Sequence, residues 1–259
     1  MPSSSSGPGL SIVIPAWNEE DRLERTLSRY LPALEARAEP FEVIVVSDGV
    51  QDRTAEVARS FASRGVRVLE FPEKLGKGGA ILAGLRTARY DYVGYLDADG
   101  PIATSQIYGM VDTLKDVDCV IASRWIQGSV VVRPEPLFNR VAGRVWNFLV
   151  RGLLLMPIQD TQCGAKFFKR SVVIPLLRTV TVTNRAFDVV VLYHIRESGA
   201  SVKEVPVTWT HDPNTRMPIA RAIPIMLLSL VAVRMMNTPI SKRVPPSWVE
   251  WFHDRYGPT

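Results

Sequence analysis

Apolar runs alternate with mixed stretches along the first part of this chain. Leu10-Ser11-Ile12-Val13-Ile14, ended by Pro15, reads as a strand, as do Phe41–Val46, Val66–Glu70, Tyr92–Leu96 and Val117–Ala122. Asn18 is placed to cap the helix after the first strand, and Asp52-Arg53-Thr54 opens a helix reaching about residue 63. Gly76-Lys77-Gly78-Gly79 leads into another that ends near Ala88. Strands and helices in this order predict βαβ units, hence an α/β fold with a mainly parallel sheet flanked by helices. Right-handed crossovers then gather Pro15–Glu19, Ser47–Gly49, Pro72–Lys77 and Asp97-Ala98-Asp99 on one sheet edge.

After residue 122 the pattern changes. Arg124–Pro136 is a polar, proline-containing loop. Leu137–Met156 reads as a helix with Leu137, Val141, Val145, Phe148 and Leu149 on one side, and Phe187–Ser198 as a second helix. Val202–Trp209 alternates like a strand. Ala222–Val233 is apolar and uncharged but only 12 residues long, short of the ~20 residues a membrane-spanning helix needs. With Arg221 and Arg234 at its ends it reads as an interfacial helix; a buried core helix is the plainer alternative. Trp248, Trp251 and Phe252 suit either an aromatic anchor or a packed tail.

Composition narrows the classes. The chain has 259 residues, 46% of them hydrophobic and 22% charged, enough for one large α/β domain with an appendage. Its two cysteines, Cys119 and Cys163, form no disulfide framework or zinc spacing and suit a reducing compartment. Residues 1–8 combine no basic region with an apolar stretch, so they read as a disordered tail rather than a leader. Residues 1–100 carry 12 Lys and Arg against 15 Asp and Glu; residues 101–259 carry 19 against 11. The basic second part can meet anionic lipid or a phosphorylated substrate, and no basic–aromatic cluster points to nucleic acid.

The chemistry centres on Asp97-Ala98-Asp99, placed where a buried strand ends. Open α/β sheets put ligands at that edge. Two carboxylates one residue apart repel unless a cation sits between them, and Mg²⁺ or Mn²⁺ takes such oxygens while leaving room for phosphates. A bare Asp-x-Asp is equally a solvated turn. Gly76-Lys77-Gly78-Gly79 offers amides and a cation to an anion, but lacks the spacing of either nucleotide motif. Asp48 can accept from a base or a ribose, or simply close a turn. Residues 122–156 hold Arg124, Arg133, Arg140, Arg144 and Arg151 against one acid, Glu135. As a group they favour an anion, since Arg binds phosphate bidentately. Each alone is equally a solvated residue.

Ile14-Pro15-Ala16-Trp17-Asn18-Glu19-Glu20, Ser47-Asp48-Gly49, Gly76-Lys77-Gly78 and Asp97-Ala98-Asp99 together resemble the family-2 glycosyltransferases of the GT-A (Rossmann-like) fold. Asp160–Phe168, Arg185-Ala186-Phe187-Asp188 and Val205–Trp209 are similar to the branch of dolichyl-phosphate glucosyltransferases and dolichyl-phosphate mannose synthases, leaning to the former. The resemblance implies an inverting enzyme that moves a hexose, foremost glucose from UDP-glucose, onto a polyprenyl or dolichyl phosphate. GDP-mannose as donor, or a soluble enzyme with a non-lipid acceptor, are the alternatives. It implies that Pro15, Ala16, Glu19, Asp48, Lys77 and Asp97 hold the nucleotide sugar, and that Asp97 and Asp99 hold Mg²⁺ or Mn²⁺. Asp160 would orient the acceptor or act as base. Arg124, Arg133, Arg140, Arg144 and Arg216 would meet the acceptor phosphate, with His211 on a loop able to close over the diphosphate. Lys166 is expected to face solvent. The implied organisation is a tail over residues 1–9, a catalytic domain over 10–212 and C-terminal amphipathic interfacial helices and tail over 213–259. The implied location is the cytoplasmic face of a membrane.

Overall fold

The computed structural model describes residues 8–37, 39–134, 136–178, 180, 186–210, 226–231 and 233–234. His211, Arg216, Arg185 and the residues around Trp248 therefore lie outside the described residues.

Seven strands form the main sheet: β1 (Leu10–Ala16), β2 (Phe41–Asp48), β3 (Val66–Phe71), β4 (Tyr92–Leu96), β5 (Cys119–Ser123), β7 (Ala165–Lys169) and β8 (Val202–Pro206). Their spatial order is β3-β2-β1-β4-β7-β5-β8. The pairs among β3, β2, β1 and β4 are parallel, and so is β5 with β8; β7 runs antiparallel between β4 and β5. A second, two-stranded sheet joins β6 (Val130–Arg133) to β9 (Thr208–Thr210). β6 lies within the stretch that reads as a loop, and the single strand expected over Val202–Trp209 is divided between the two sheets.

The central strands read as unbroken apolar runs because both their faces are covered. Alternate residues go to opposite cores. Val13, Ile44, Val46 and Tyr95 face one, and Ile12, Ile14, Val43 and Val45 face the other. Helices α1 (Glu20–Glu35), α2 (Thr54–Ser60) and α4 (Thr104–Thr113) cover the second face. Helices α3 (Gly76–Thr87), α5 (Leu137–Leu154), α6 (Arg170–Leu176) and α7 (Phe187–Glu197) cover the first.

Two stretches read from their periodicity gain a direction here. The buried face of α5 is Trp146, Asn147, Val150 and Leu154, so the stripe of Leu137, Val141, Val145 and Phe148 points outward. Residues 226–231 and 233–234 are helical. Met226, Leu230 and Val233 enter the core while Leu228 and Val231 stay exposed, so one face of this stretch packs as a core helix does.

Candidate active site

β1 pairs with β2 on one side and β4 on the other, so strand order reverses between β1 and β4. Loops that leave adjacent strands in opposite directions open a crevice at such a point. Asp97, Ala98 and Asp99 leave the carboxyl end of β4 at this reversal. Their loop is clamped by α1: Thr26 Oγ1 donates to the Ala98 carbonyl at 2.7 Å, Tyr30 OH to that of Ile102 at 2.9 Å, and Arg29 to that of Gly100. Gly100 turns the chain at φ +57°, where an L side chain is strained.

The acidic pair is only partly exposed. The Asp97 amide donates to the Gly164 carbonyl at 3.0 Å. A Cβ on Gly164 would lie 1.8 Å from Asp97 Oδ2, so only glycine lets the segment before β7 come this close. Asp99 Oδ1 is buried and has no hydrogen-bond partner among the described residues. Burial first, then the Asp97 charge, push the Asp99 carboxyl up to about 7. A buried oxygen without a donor, beside a second carboxylate, fits a divalent cation. Among the described residues no group of three His, Cys, Asp or Glu surrounds it, so such an ion would complete its shell with phosphate or water oxygens.

Lys77, on the first turn of α3, reaches Asp97 Oδ1 at 2.9 Å and Asp188 Oδ2 at 3.3 Å. Asp188 opens α7; its Oδ1 accepts from Tyr95 OH at 2.6 Å and from Lys166 Nζ. Lys166 Nζ also donates to the Cys163 carbonyl at 2.8 Å. Lys166 is fully buried, which corrects its expected place in solvent: two acceptors inside the fold replace water. Burial alone would raise the Asp188 carboxyl, but Lys166 and Lys77 hold it below the usual range. Burial would likewise lower Lys77, and Asp188 and Asp97 outweigh it, so the ammonium stays charged.

The residues implied for the donor line the same edge. Pro15 and Ala16 end β1. The Glu19 amide donates to Thr54 Oγ1 at 2.8 Å, and its carboxylate pairs with Arg22 at 3.0 Å. Asp48 is buried at the end of β2 and accepts the Leu75 amide, fixing the loop that carries Lys77; burial raises its carboxyl. Asn18 does not cap α1. It adopts φ +53°, and its side chain accepts the Gln51 amide at 2.8 Å, tying the β1 and β2 loops together. Trp17 stands 43% exposed with Lys74 Nζ 3.4 Å from its ring centre.

On the other side of the acidic pair, Asp160 is fully buried. It accepts the Arg124 amide at 3.0 Å, Nε at 2.7 Å and Nη2 at 3.0 Å. Burial opposes the charge, yet Arg124 holds this carboxyl below the usual range. Such a group orients its arginine and is a weak proton acceptor. Two guanidinium groups approach the Trp125 ring, Arg124 at 5.4 Å and Arg144 at 4.5 Å from its centre. Arg124 and Arg144 thus share one aromatic neighbour, though Arg144, like Arg133 on β6 and Arg140 on α5, stands exposed. Asn147 of α5 joins this helix to the same segment, donating to the Gln159 carbonyl and accepting from Thr161 Oγ1 at 3.3 Å.

Asp188 and Gly164 lie inside stretches that carry the resemblance, yet sequence assigns no role to either, nor to Tyr95 and Trp125. The partners of Asp188 come from three distant strands and helices. Two further buried atoms without partners among the described residues, Ser123 Oγ at the end of β5 and Gln162 Nε2 before β7, border the same edge.

Comparison with known proteins agrees with this geometry. The model of "Glycosyl transferase family 2" matches residues 11–177. A dolichyl-phosphate beta-glucosyltransferase of Drosophila melanogaster is 34% identical over 235 residues, covering 84% of this chain and 72% of that protein. Glycosyltransferase AglD of Haloferax volcanii is 31% identical over 227 residues, which span 85% of this chain and 36% of that longer protein. Glucosyl-3-phosphoglycerate synthase from Mycobacterium tuberculosis, crystallised with Mn²⁺, UDP and glucosyl-3-phosphoglycerate, superposes with TM-score 0.63 at 19% identity, covering 89% of this chain and 80% of that one. At that identity the likeness is one of fold.

Proposed function

Because the chain belongs to glycosyl transferase family 2, we propose that it is an inverting hexosyltransferase that moves glucose from UDP-glucose onto a dolichyl or other polyprenyl phosphate. The relative's name supports the sugar and the acceptor, and the UDP complex of the structural neighbour supports the nucleotide. The observation that carries the reading is the carboxylate pair at the strand reversal, with one buried oxygen left unmatched.

Each part has a chemical task. Pro15, Ala16, Glu19 and Asp48 hold the nucleoside and shape its loops. Asp97 and Asp99 would hold Mg²⁺ or Mn²⁺, which when bound supplies Lewis-acid stabilisation of the departing diphosphate. Lys77 adds a charged ammonium beside it. A phosphate monoester has its second pKa at about 6, so the acceptor arrives ionised and needs no strong base. It needs cations that align its oxygens with the anomeric carbon. Arg124, held rigid by Asp160, and Arg144 beside Trp125 fill that role, with Arg133, Arg140 and Arg216 drawing the anion in. Asp160 therefore acts as the residue that orients Arg124.

A lipid acceptor brings the enzyme to a membrane, on its cytoplasmic face. Among the described residues no helix is long and apolar enough to cross one. The outward face of α5 supports a peripheral contact. Leu137 is 72% and Phe148 77% exposed, Val141 and Val145 lie between them, and Arg140, Arg144 and Arg151 run alongside. An apolar stripe edged with arginines suits the boundary of an anionic bilayer.

The test is to incubate the purified chain with radiolabelled UDP-glucose or GDP-mannose and dolichyl phosphate, with Mn²⁺ or with excess chelator. Label from UDP-glucose should enter the organic phase, and chelator should prevent it. Label entering only from GDP-mannose would move the reading to a mannosyl transfer. Label reaching only water-soluble acceptors, or full turnover in chelator, would overturn it.

A further inference from the structure

The acidic pair already has a cation beside it. Lys77 Nζ is 2.9 Å from Asp97 Oδ1, one of the two carboxylates that suit a metal ion. A divalent ion at Asp97 and the Lys77 ammonium would repel at this range, so the two compete for one carboxylate. On its other side Lys77 meets Asp188 Oδ2 at 3.3 Å. Asp188 is buried and cannot follow the lysine, because Tyr95 and Lys166 occupy its Oδ1. One carboxylate is therefore a fixed dock and the other a contact that can be given up. The lysine stem is long and flexible, so its ammonium can leave Asp97 while keeping Asp188. A diphosphate at this edge would offer it new oxygens.

We propose that Lys77 is a resident counter-cation that keeps a metal ion from settling on Asp97 alone, and that Asp188 is the positioning residue that holds it there. Resting on the metal-and-nucleotide reading above, this makes metal and donor enter together: the diphosphate draws Lys77 off Asp97, and the vacated carboxylate takes the ion. By linkage, nucleotide must then strengthen metal binding by the same factor that metal strengthens nucleotide binding.

The experiment titrates Mn²⁺ into the full chain by electron paramagnetic resonance, without and with UDP, for wild type, Lys77→Met and Lys77→Arg. Met keeps the length of the stem and removes the charge. Without UDP, Lys77→Met should bind Mn²⁺ at least tenfold more tightly than wild type. With Mn²⁺ saturating, it should bind UDP at least tenfold more weakly. Lys77→Arg should keep the wild-type pattern in both. Mn²⁺ affinity that is unchanged or lower in Lys77→Met overturns the resident-cation role. Tyr95→Phe tests the dock without altering any charge: Mn²⁺ binding without UDP should tighten and UDP affinity should fall, each several-fold, while circular dichroism stays as in wild type. No change in either affinity overturns the positioning role of Asp188. Failure of the wild-type chain to bind Mn²⁺ with UDP would overturn the donor reading itself, so the two failures are distinguishable.

Discussion

Replacing Gly164 by alanine tests whether the close approach of the segment before β7 sets the acidic pair. The new Cβ would stand 1.8 Å from Asp97 Oδ2 and 2.2 Å from its Cγ, and real Cβ atoms stay 3.0 Å or more from such neighbours. The carboxylate must therefore withdraw by about 1.2 Å or rotate off its bond to Lys77. A displacement of ~1 Å in a reacting constellation can cost a hundredfold in rate, about 2.7 kcal/mol of transition-state stabilisation. Overpacking of this kind costs about 1–3 kcal/mol in stability, so the fold should survive. The assay pairs transfer of radiolabelled sugar to dolichyl phosphate with thermal unfolding of the same preparation. Expected is a loss of kcat/KM of at least a hundredfold with a modest fall in Tm. Wild-type turnover in a well-folded Gly164→Ala chain would refute the argument that this contact fixes Asp97.

Three other predictions follow from separate parts of the molecule. Asp118 accepts from the Ser201 amide and hydroxyl at 3.0 and 2.8 Å and from Lys169 at 3.0 Å; the Ser201 bonds chiefly hold its carboxyl at about 2. Its folded pKa is depressed, so its stabilisation is complete above about pH 4 and lost as pH falls toward 2. Asp118→Asn should cost ~1–2 kcal/mol at pH 7, allowing for partial exposure, with the gap to wild type closing below pH 4 in denaturant titrations. Nothing stands within 4 Å of a Cβ built on Gly152 in α5, so Gly152→Ala should raise stability by about 0.5–1 kcal/mol, read as a higher Tm. Leu137→Ser with Phe148→Ser removes two apolar groups worth about 1.5–3 kcal/mol each when buried, so flotation with anionic liposomes should weaken at least tenfold while transfer to a short-chain prenyl phosphate persists. Undiminished flotation would move the lipid contact elsewhere.

How far the residues themselves reveal this molecule depends on whether the forces are local. β1, β2 and β4 are legible because strands covered on both faces must be apolar throughout. Their shared edge follows from crossover handedness, and with it the place of Asp97 and Asp99. β7 is not legible, because Ala165-Lys166-Phe167-Phe168-Lys169 puts a lysine where a central strand should be apolar. That lysine is tolerated only because Asp188, on a helix that follows, meets it. The stripe on α5 is legible as a periodicity, but periodicity does not say whether the stripe turns toward the core. Trp146, Val150 and Leu154 win that place, and the arginine-edged side is left outside. Asp160 offers the plainest case: its residue type suits a base, whereas the three donors from Arg124 that occupy it come from a loop far upstream.

The reversed direction of β7 has a consequence for how such an enzyme can diversify. The chain leaves β5 at the ligand-bearing edge, makes its excursion through β6 and α5, and returns to that same edge as it enters β7. Both ends of the excursion are thus anchored beside the acidic pair, while in its middle α5 lays Trp146, Val150 and Leu154 against the sheet and turns its other side outward. That outer side alone is exchangeable. A lineage can restyle it for a new acceptor, and the machinery that grips the sugar donor need not be rebuilt.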